Sequence, residues 1–333
     1  MRPDWRYAGR AAVAFALFGL AAGCATPAGE SAAAYTEVEW PIAATTAADS
    51  PTVWNFGQVV AVATGANGNI LMLQRQRHPI LEFAPDGTFV RAWGDGLFSH
   101  GKVAGVPPED RAPGASGYSA VYGAAGCQHC GAHAIRVDPD GNVWVVDAPG
   151  HVIHKLSPTG ELLMQLGTPE VPGDGPDTFN LPTDIAFGPD GDLFVSDGYG
   201  NARIVRFTKD GTYKAEWGSR GTGPGEFGLP HGIAVARDGR VFAVDRDNRR
   251  VQVFDSEGTF LDEWTDLTGV QALFVTDDQR IWAGGALREL DGTILTELPD
   301  GYGGHGMTVS QNGEVFVAQL SGRVQKFVPR SGG

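Results

Sequence analysis

The chain has 333 residues, of which 42% are hydrophobic and only 19% are charged, so a large folded core is expected and a charge-rich disordered protein is excluded. Its formal net charge is −14. Removing residues 1–23, which contain three Arg and one Asp, leaves 22 basic and 38 acidic residues and a charge of −16. A chain this acidic repels phosphates, which excludes nucleic acid as an expected partner.

The first residues have the features of an export signal. Arg2, Arg6 and Arg10 precede an apolar run from Ala11 to Ala22, which is shorter than the roughly 20 residues that a membrane-spanning helix needs. The run ends at LAAGC, which resembles a bacterial lipobox with Cys24 as the lipidated residue. Because the Leu lies one position further from the Cys than usual, plain cleavage near Ala22 is the alternative.

This N-terminus predicts how the chain is organised and where it resides. We expect a signal peptide over residues 1–23, a flexible tether over 24–33, a folded domain over 34–329 and a tail over 330–333. The protein is then exported to the bacterial cell envelope, in the periplasm or at the outer membrane, and contacts the membrane only through its lipid anchor. We expect it to be a monomer.

Two cysteines remain in the exported part of the chain. In an oxidising compartment, Cys127 and Cys130 form a candidate disulfide. Gly131 stands where a haem-attachment motif would need His, so a haem site is excluded. Zinc binding by Cys127, His129 and Cys130 is the weaker alternative, because no second ligand pair lies nearby.

Six segments of the remaining chain share one rhythm of short strands and tight turns. Asp-Gly and Asn-Gly turns between runs of alternating hydrophobicity are strong β-hairpin signals. The second strands of the copies start at Gly68, Gly141, Gly191, Gly239, Gln279 and Gly313. Spacings of 73, 50, 48, 40 and 34 residues suit four-stranded propeller blades with loops of different length. The competing β-sandwich does not predict six copies of one four-strand pattern.

The sixth copy stops after its third strand, at Arg323–Phe327, and lacks a fourth. The segment Tyr35–Trp40 is the candidate for this strand, and its pairing there would close the ring and remove an unpaired edge. Residues 95–126, rich in Gly and Pro, form an expected surface loop or lid between copies one and two. The predicted fold class is therefore all-β, a six-bladed β-propeller whose last blade is closed by an N-terminal strand.

Alignment of the copies places His in every second blade. Eight residues before the second-strand start, copies two, four and six carry His133, His231 and His305. This position begins the innermost strand, so the three side chains converge on the axis with a fourth metal position open, as in catalytic zinc sites. A lone His on such a strand is more often a hydrogen-bonded core residue, but three in one column favour a metal. Because the ligands must be neutral, binding should weaken as pH falls through about 6.5.

The loop after each second strand returns to the same face of the ring as the histidines. In copies one and four these loops carry Arg75 and Arg246, opposite each other across the mouth of the channel, and in copy three the loop carries Tyr199. Arg is suited to binding a carboxylate with two parallel hydrogen bonds. Individually, each of these residues is more often a solvated or packed side chain, but their place around a metal site makes them candidates.

The sequences SDGYGNARIVRF, LPHGIAV and VDRDNRRVQVF are similar to those of NHL-repeat propellers. More narrowly, they resemble the lyase domain of peptidylglycine α-amidating enzymes, and the resemblance covers most of residues 50–329. It implies a six-bladed propeller in which the three aligned histidines hold zinc. It further implies that Tyr199 is catalytic and that Arg246 and Arg75 are functional, with Arg77 as the alternative to Arg75.

The resemblance implies a zinc-dependent lyase that cleaves a peptidyl- or acyl-α-hydroxyglycine, a small-molecule or peptide substrate, to an amide and glyoxylate. The chain departs from the family at three places. Gly303 stands in place of Met, Gly200 in place of a disulfide-forming Cys, and Gly306 in place of an Asp that helps to hold a structural calcium. These departures argue against calcium and against that disulfide.

Two other functions remain open. The alternative is a non-catalytic NHL propeller that serves as a binding or scaffold module at the envelope, since a fold does not determine a function. A calcium-dependent lactonase ranks last, because the axial column carries His where that site would need acidic residues or Asn.

Overall fold

The computed structural model describes residues 34–40, 56–75, 78–98, 131–265, 267–299 and 303–330. All regular structure in these ranges is β-strand, and none of the ranges contains a helix long and apolar enough to cross a membrane. Several predicted features lie outside the described residues: the signal peptide, the tether, Cys24, Arg77, Cys127, Cys130 and residues 99–126 of the insertion.

Six antiparallel four-stranded sheets form the blades. In five of them the strands follow one another in space as in sequence, and in the last blade the first strand of the chain takes the outer position. Blades one to three consist of β2 (Val59–Thr64), β3 (Ile70–Gln74), β4 (Ile80–Phe83) and β5 (Phe89–Trp93); β6 (Ala132–Val137), β7 (Val143–Asp147), β8 (Val152–Leu156) and β9 (Leu162–Leu166); and β10 (Asp184–Phe187), β11 (Leu193–Asp197), β12 (Arg203–Phe207) and β13 (Tyr213–Trp217).

The second half of the ring repeats the arrangement, after the short parallel pair β14 (Ser219–Arg220) and β15 (Glu226–Phe227). Blades four to six consist of β16 (Pro230–Val235), β17 (Val241–Asp245), β18 (Arg250–Phe254) and β19 (Phe260–Trp264); β20 (Leu273–Val275), β21 (Ile281–Ala283), β22 (Ala286–Arg288) and β23 (Ile294–Glu297); and β24 (Gly306–Val309), β25 (Val315–Gln319), β26 (Arg323–Pro329) and β1 (Tyr35–Val38).

The position of a strand in its blade determines how deeply its side chains are buried. Second strands are covered by neighbouring blades on both faces, so β11 is buried throughout, whereas the outer strand β13 alternates between exposed and half-buried residues. The hairpin between the first two strands needs a left-handed residue. Gly141 supplies it in blade two with φ of 86°, and Gln279 adopts φ of 62° in blade five, the copy without Gly.

The predicted closure of the ring is confirmed. β1 pairs antiparallel with β26, with Tyr35 opposite Pro329 and Val38 opposite Lys326. The six inner strands contact one another in sequence, and β24 contacts β2 to complete the circle. The strand ends two residues before Trp40, whose buried ring packs 5.3 Å from Phe83 and 5.1 Å from Phe316, measured between ring centroids. The N-terminal segment therefore joins the first and last blades.

Blades three and four each contain an ion pair buried at the end of the second strand. Arg203 Nε lies 3.0 Å from Asp197 Oδ2, and Arg250 Nε lies 2.9 Å from Asp245 Oδ2. Arg250 also donates to the carbonyl oxygens of Gly223 and Glu226, both at 2.8 Å. Each pair thus holds the loop that precedes its blade against the second strand.

Replacing Asp245 by Ala should lower the free energy of unfolding by about 3–5 kcal/mol. The buried Arg250 would keep only its pair with Glu263, and the backbone N–H groups of Gly228 and Leu229 would lose the carboxylate oxygen to which they donate. Urea denaturation followed by circular dichroism measures the change. Asp238→Ala removes the carboxylate of the more exposed Arg240–Asp238 pair and should cost less than about 1 kcal/mol. Equal losses in the two variants would contradict a structural role for the buried pair.

Candidate metal centre

The structure brings His133, His231 and His305 together at the axis of the ring. One ring nitrogen of each lies within 4.8 Å of those of the other two, and all three side chains are buried. Their ring centroids are 4.9–5.0 Å apart, with interplanar angles of 63–84°. Within the described ranges, this is the one group of three or more His, Cys, Asp or Glu side chains with the spacing of a metal site.

A backbone carbonyl orients each imidazole through its Nδ1 atom. A carbonyl oxygen only accepts, so each Nδ1 carries the proton and each Nε2 keeps a free lone pair, which is the tautomer a metal ligand needs. The Nδ1-to-oxygen distances are 2.6 Å from His133 to Thr183, 2.9 Å from His231 to Gln271 and 2.7 Å from His305 to Val60. The three-histidine cluster therefore fits a metal ion bound through Nε2.

The three carbonyl acceptors occupy the same aligned position as the histidines, in the alternate blades. The sequence does not indicate this role, because every residue has a backbone carbonyl and residue type does not show which one accepts a hydrogen bond. The positional signal was nevertheless present, since the column of six aligned residues alternates between His and these acceptors. Each inner strand that lacks a histidine supports one.

Tyr199 reaches the cluster from the loop after β11. Its hydroxyl oxygen lies 3.0 Å from Nε2 of His133 and 3.3 Å from Nε2 of His231. This loop was expected on the histidine face, and the structure places it there. The phenol therefore stands beside the point where the Nε2 atoms converge.

Two glycines allow this loop to lie so close to its neighbours. A Cβ atom on Gly198 would overlap the carbonyl oxygen of Pro230, and one on Gly200 would overlap the side chain of Asn180. The departure from the resembled family at Gly200 thus has a packing reason here, because the space for a Cys side chain is filled.

Arg246 lies over the ring of Tyr199, with its Cζ atom 5.6 Å from the ring centroid. Its Nε atom donates to Asp247 Oδ1 at 3.1 Å. Burial acts to lower the pKa of Arg246, but interaction with Tyr199 and then with Asp247 outweighs burial and raises it. The guanidinium therefore stays charged beside the phenol.

Arg75 is buried on the other side of the cluster. Its Nε atom donates to the carbonyl of Ala132 at 3.2 Å, beside His133, and Nη1 donates to Gln58 Oε1 at 2.7 Å. The structure thus places Arg75 and Arg246 on blades one and four, as the alignment predicted.

Burial and nearby positive charge keep the cluster neutral. Burial is the largest cause that lowers the pKa of each histidine. The next cause is the other two histidines for His133, and His305 followed by Arg246 for His231. For His305 the next cause is the charge of Arg75. The pKa of His305 falls to about 4. Because these lowered pKa values suppress protonation of the folded cluster near pH 6.5, metal binding should weaken at a lower pH than the ordinary pKa of His predicts.

We expect the affinity for Zn²⁺ to stay nearly constant between about pH 7.5 and 5.5 and to fall only as the pH approaches 4. In the metal-free protein, the unfolded chain takes up protons first. The stability contributed by neutral His305 is thus full above about pH 6.5 and is lost as pH falls from there toward 4. Competition titrations with a chromophoric chelator test the binding, and a tenfold loss of affinity between about pH 7.5 and 6 would contradict it.

The two remaining glycine departures also have packing reasons. A Cβ atom on Gly306 would lie 2.7 Å from Cα of Ala61, and one on Gly303 would overlap the backbone of Gly284. A carboxylate does lie further along the channel, on Asp184, but Arg136 binds it with Nε 2.9 Å from Oδ1. Position 306 therefore supplies no side-chain ligand, and the neighbouring carboxylate is already paired.

The chain is similar to a family of six-bladed β-propellers and to proteins that are named as lyases. A family model described as a six-bladed β-propeller matches residues 184–283. A Caenorhabditis elegans protein named probable peptidyl-α-hydroxyglycine α-amidating lyase is 31% identical over 234 residues, 68% of this chain and 64% of that protein. The Drosophila melanogaster peptidyl-α-hydroxyglycine α-amidating lyase 1 is 31% identical over 60% of this chain and 44% of its own length.

Other similarities extend further along the chain. Mouse NHL repeat-containing protein 3 is 28% identical over 79% of this chain and 77% of that protein. A streptogramin B lyase structure superposes over 90% of this chain and 88% of its own with a TM-score of 0.52 at 16% identity, which shows a shared fold. With the ring of blades described above, these comparisons identify the chain as a six-bladed β-propeller that is similar to NHL repeat proteins and to proteins named peptidyl-α-hydroxyglycine α-amidating lyase.

Proposed function

We propose that this protein is a zinc-dependent lyase that cleaves peptidyl- or acyl-α-hydroxyglycine to an amide and glyoxylate. The observation that carries the proposal is the Tyr199 hydroxyl, 3.0 and 3.3 Å from two Nε2 atoms of the three-histidine cluster. A proton-transfer group therefore adjoins a metal-binding arrangement. The similarity to named lyases supports the same chemistry, although the chain spans only 64% and 44% of two of them.

His133, His231 and His305 would hold the zinc ion through Nε2. Bound zinc supplies Lewis acidity, which makes a nearby hydroxyl a stronger acid at neutral pH. The histidine Nδ1 hydrogen bonds to carbonyls fix the rings, so little reorganisation accompanies metal binding.

Tyr199 would act as the general base on the α-hydroxyl of the substrate, with the guanidinium of Arg246 lying over its ring. As the proton leaves, the carbon–oxygen double bond of glyoxylate forms and the carbon–nitrogen bond breaks. The proton then passes to the departing amide nitrogen. The reaction is balanced without an oxidant or another reactant.

Arg246 and Arg75 would bind the carboxylate of the hydroxyglycine. Both lie by the cluster, on opposite blades, and a guanidinium can hold a carboxylate with two parallel hydrogen bonds. Holding the carboxylate from the rim orients the carbon–nitrogen bond next to Tyr199.

Glyoxylate release from a synthetic acyl-α-hydroxyglycine tests the proposal. The zinc-loaded protein should release glyoxylate and amide in equal amounts above an enzyme-free blank, and an acylglycine without the hydroxyl should be inert. The alternative is a non-catalytic binding module, since a fold does not determine a function and a relative named only for its NHL repeats matches 79% of this chain. Metal binding without glyoxylate release would support that alternative against the lyase.

We also propose that Cys24 anchors the protein at the cell envelope, since LAAGC follows a basic and then an apolar segment. In a bacterial host, Cys24→Ser should move the protein from the membrane fraction to the periplasm or medium. Unchanged membrane association of this variant, measured by fractionation and immunoblotting, would contradict lipidation.

A further inference from the structure

We propose that the hydroxyls of Thr183 and Ser196, here called the hydroxyl pair, position His133 and His231 for metal binding. This inference rests on the proposed function of the three-histidine cluster. Both side chains are completely buried in blade three, which lies between the two blades that carry these histidines. Their hydrogen bonds run to each other and to backbone carbonyls, so the pair acts through the main chain.

Thr183 links the two histidines directly. Its carbonyl accepts the proton on His133 Nδ1 at 2.6 Å, and its Oγ1 atom lies 3.0 Å from the carbonyl oxygen of Pro230. Pro230 immediately precedes His231 on the inner strand of blade four. The residue that orients one imidazole is thereby tied to the backbone that carries the other.

Ser196 completes the connection. Its Oγ atom lies 2.8 Å from Thr183 Oγ1 and 3.2 Å from the carbonyl oxygen of His231. Each hydroxyl carries one proton, so the pair donates to two of these oxygens at a time, and hydrogen bonds in such a series polarise one another. The loop that carries Tyr199 begins two residues after Ser196.

The propeller fold does not require this pair. Ser196 lies opposite Asp184 in the strand register, and the corresponding partners in blades one, two and six are Leu73, Val146 and Ala318. Hydrocarbon side chains therefore fill the position of Ser196 in blades one, two and six. Burying two hydroxyls costs free energy unless both are hydrogen-bonded, which indicates a positioning role for the pair between the histidine blades.

Conservative substitutions with a matched control test the inference. Thr183→Val and Ser196→Ala should each lower the affinity for Co²⁺ by about 10-fold and change the visible absorption of the bound ion. Thr308→Val is the control, because Thr308 is also buried on an inner strand and its Oγ1 lies 3.1 Å from Thr64 Oγ1 across two blades. The control should lower the melting temperature comparably but leave the Co²⁺ affinity within about twofold.

A second measurement needs neither metal nor substrate. In the metal-free protein with ¹⁵N-labelled histidine, the hydroxyl-pair variants should shift or broaden the Nδ1–H signals of His133 and His231 and spare His305, whose acceptor is Val60. The control should leave all three signals in place. If the variants and the control have the same Co²⁺ affinity, Co²⁺ spectrum and ring signals, the inference is overturned. Both measurements decide it even if the protein releases no glyoxylate.

Discussion

Tyr199→Phe should reduce glyoxylate release by about 10²–10⁴-fold and leave the metal content unchanged. Phe retains the aromatic ring, and with it the stacking under Arg246, so only the hydroxyl that lies 3.0 Å from His133 Nε2 is lost. Since Tyr199 is not one of the three imidazole ligands, Zn²⁺ should still bind. Turnover and metal analysis on the same preparation measure the two effects separately.

The control for this variant is Tyr213→Phe, because Tyr213 is exposed on the outer strand of blade three. It removes a phenolic hydroxyl far out on the blade and should leave turnover unaffected. A Tyr199→Phe protein as active as the wild type would exclude the phenol as the general base. A loss of metal together with activity would instead assign Tyr199 to the metal site.

Replacing any one of His133, His231 and His305 by Ala should lower the Zn²⁺ affinity by more than about 100-fold. This loss is larger than the loss expected when a group that only hydrogen-bonds to a metal ligand is removed. Each substitution removes one of the three imidazole ligands. At a free Zn²⁺ concentration that fills the site of the wild-type protein, the site of the variant should stay largely empty. Metal analysis after dialysis against a weak chelator measures the loss.

The fold should survive these substitutions, because the apolar clusters that stabilise the propeller lie between the blades and include none of the three histidines. Circular dichroism should therefore be unchanged. The control is His154→Gln, which alters a buried histidine of β8 and should keep the metal. Full metal content in all three axial variants would exclude the cluster as the site, and the lyase proposal with it.

Much of the fold could be predicted from the sequence because it repeats. Glycine or a substitute at each hairpin, apolar second strands and an incomplete sixth copy are local patterns. Together they predicted six blades closed by the segment Tyr35–Trp40, of which Tyr35–Val38 forms the strand. The same register placed His133, His231 and His305 in alternate blades. In a ring of equivalent strands, residues at one aligned position must converge on the axis, so the candidate site followed from the repeat.

Only the tertiary structure decided how those histidines are held and when they titrate. Each histidine donates to a carbonyl on a neighbouring blade, and these carbonyls belong to Thr183, Gln271 and Val60. Residue type does not show which backbone carbonyl accepts a hydrogen bond. The low pKa of His305, about 4, arises from burial and from Arg75 in another blade, and neither cause is visible in the local sequence.

The glycines show the same division. By itself the sequence determined that Gly200 and Gly306 depart from the resembled family, and it indicated there only the loss of a disulfide and of a calcium ligand. The structure shows that Gly200 faces Asn180 and that Gly306 faces Ala61 at a distance that excludes a side chain. Close approach between blades is a property of the assembled ring, because it depends on residues far apart in the chain that meet only when the propeller closes.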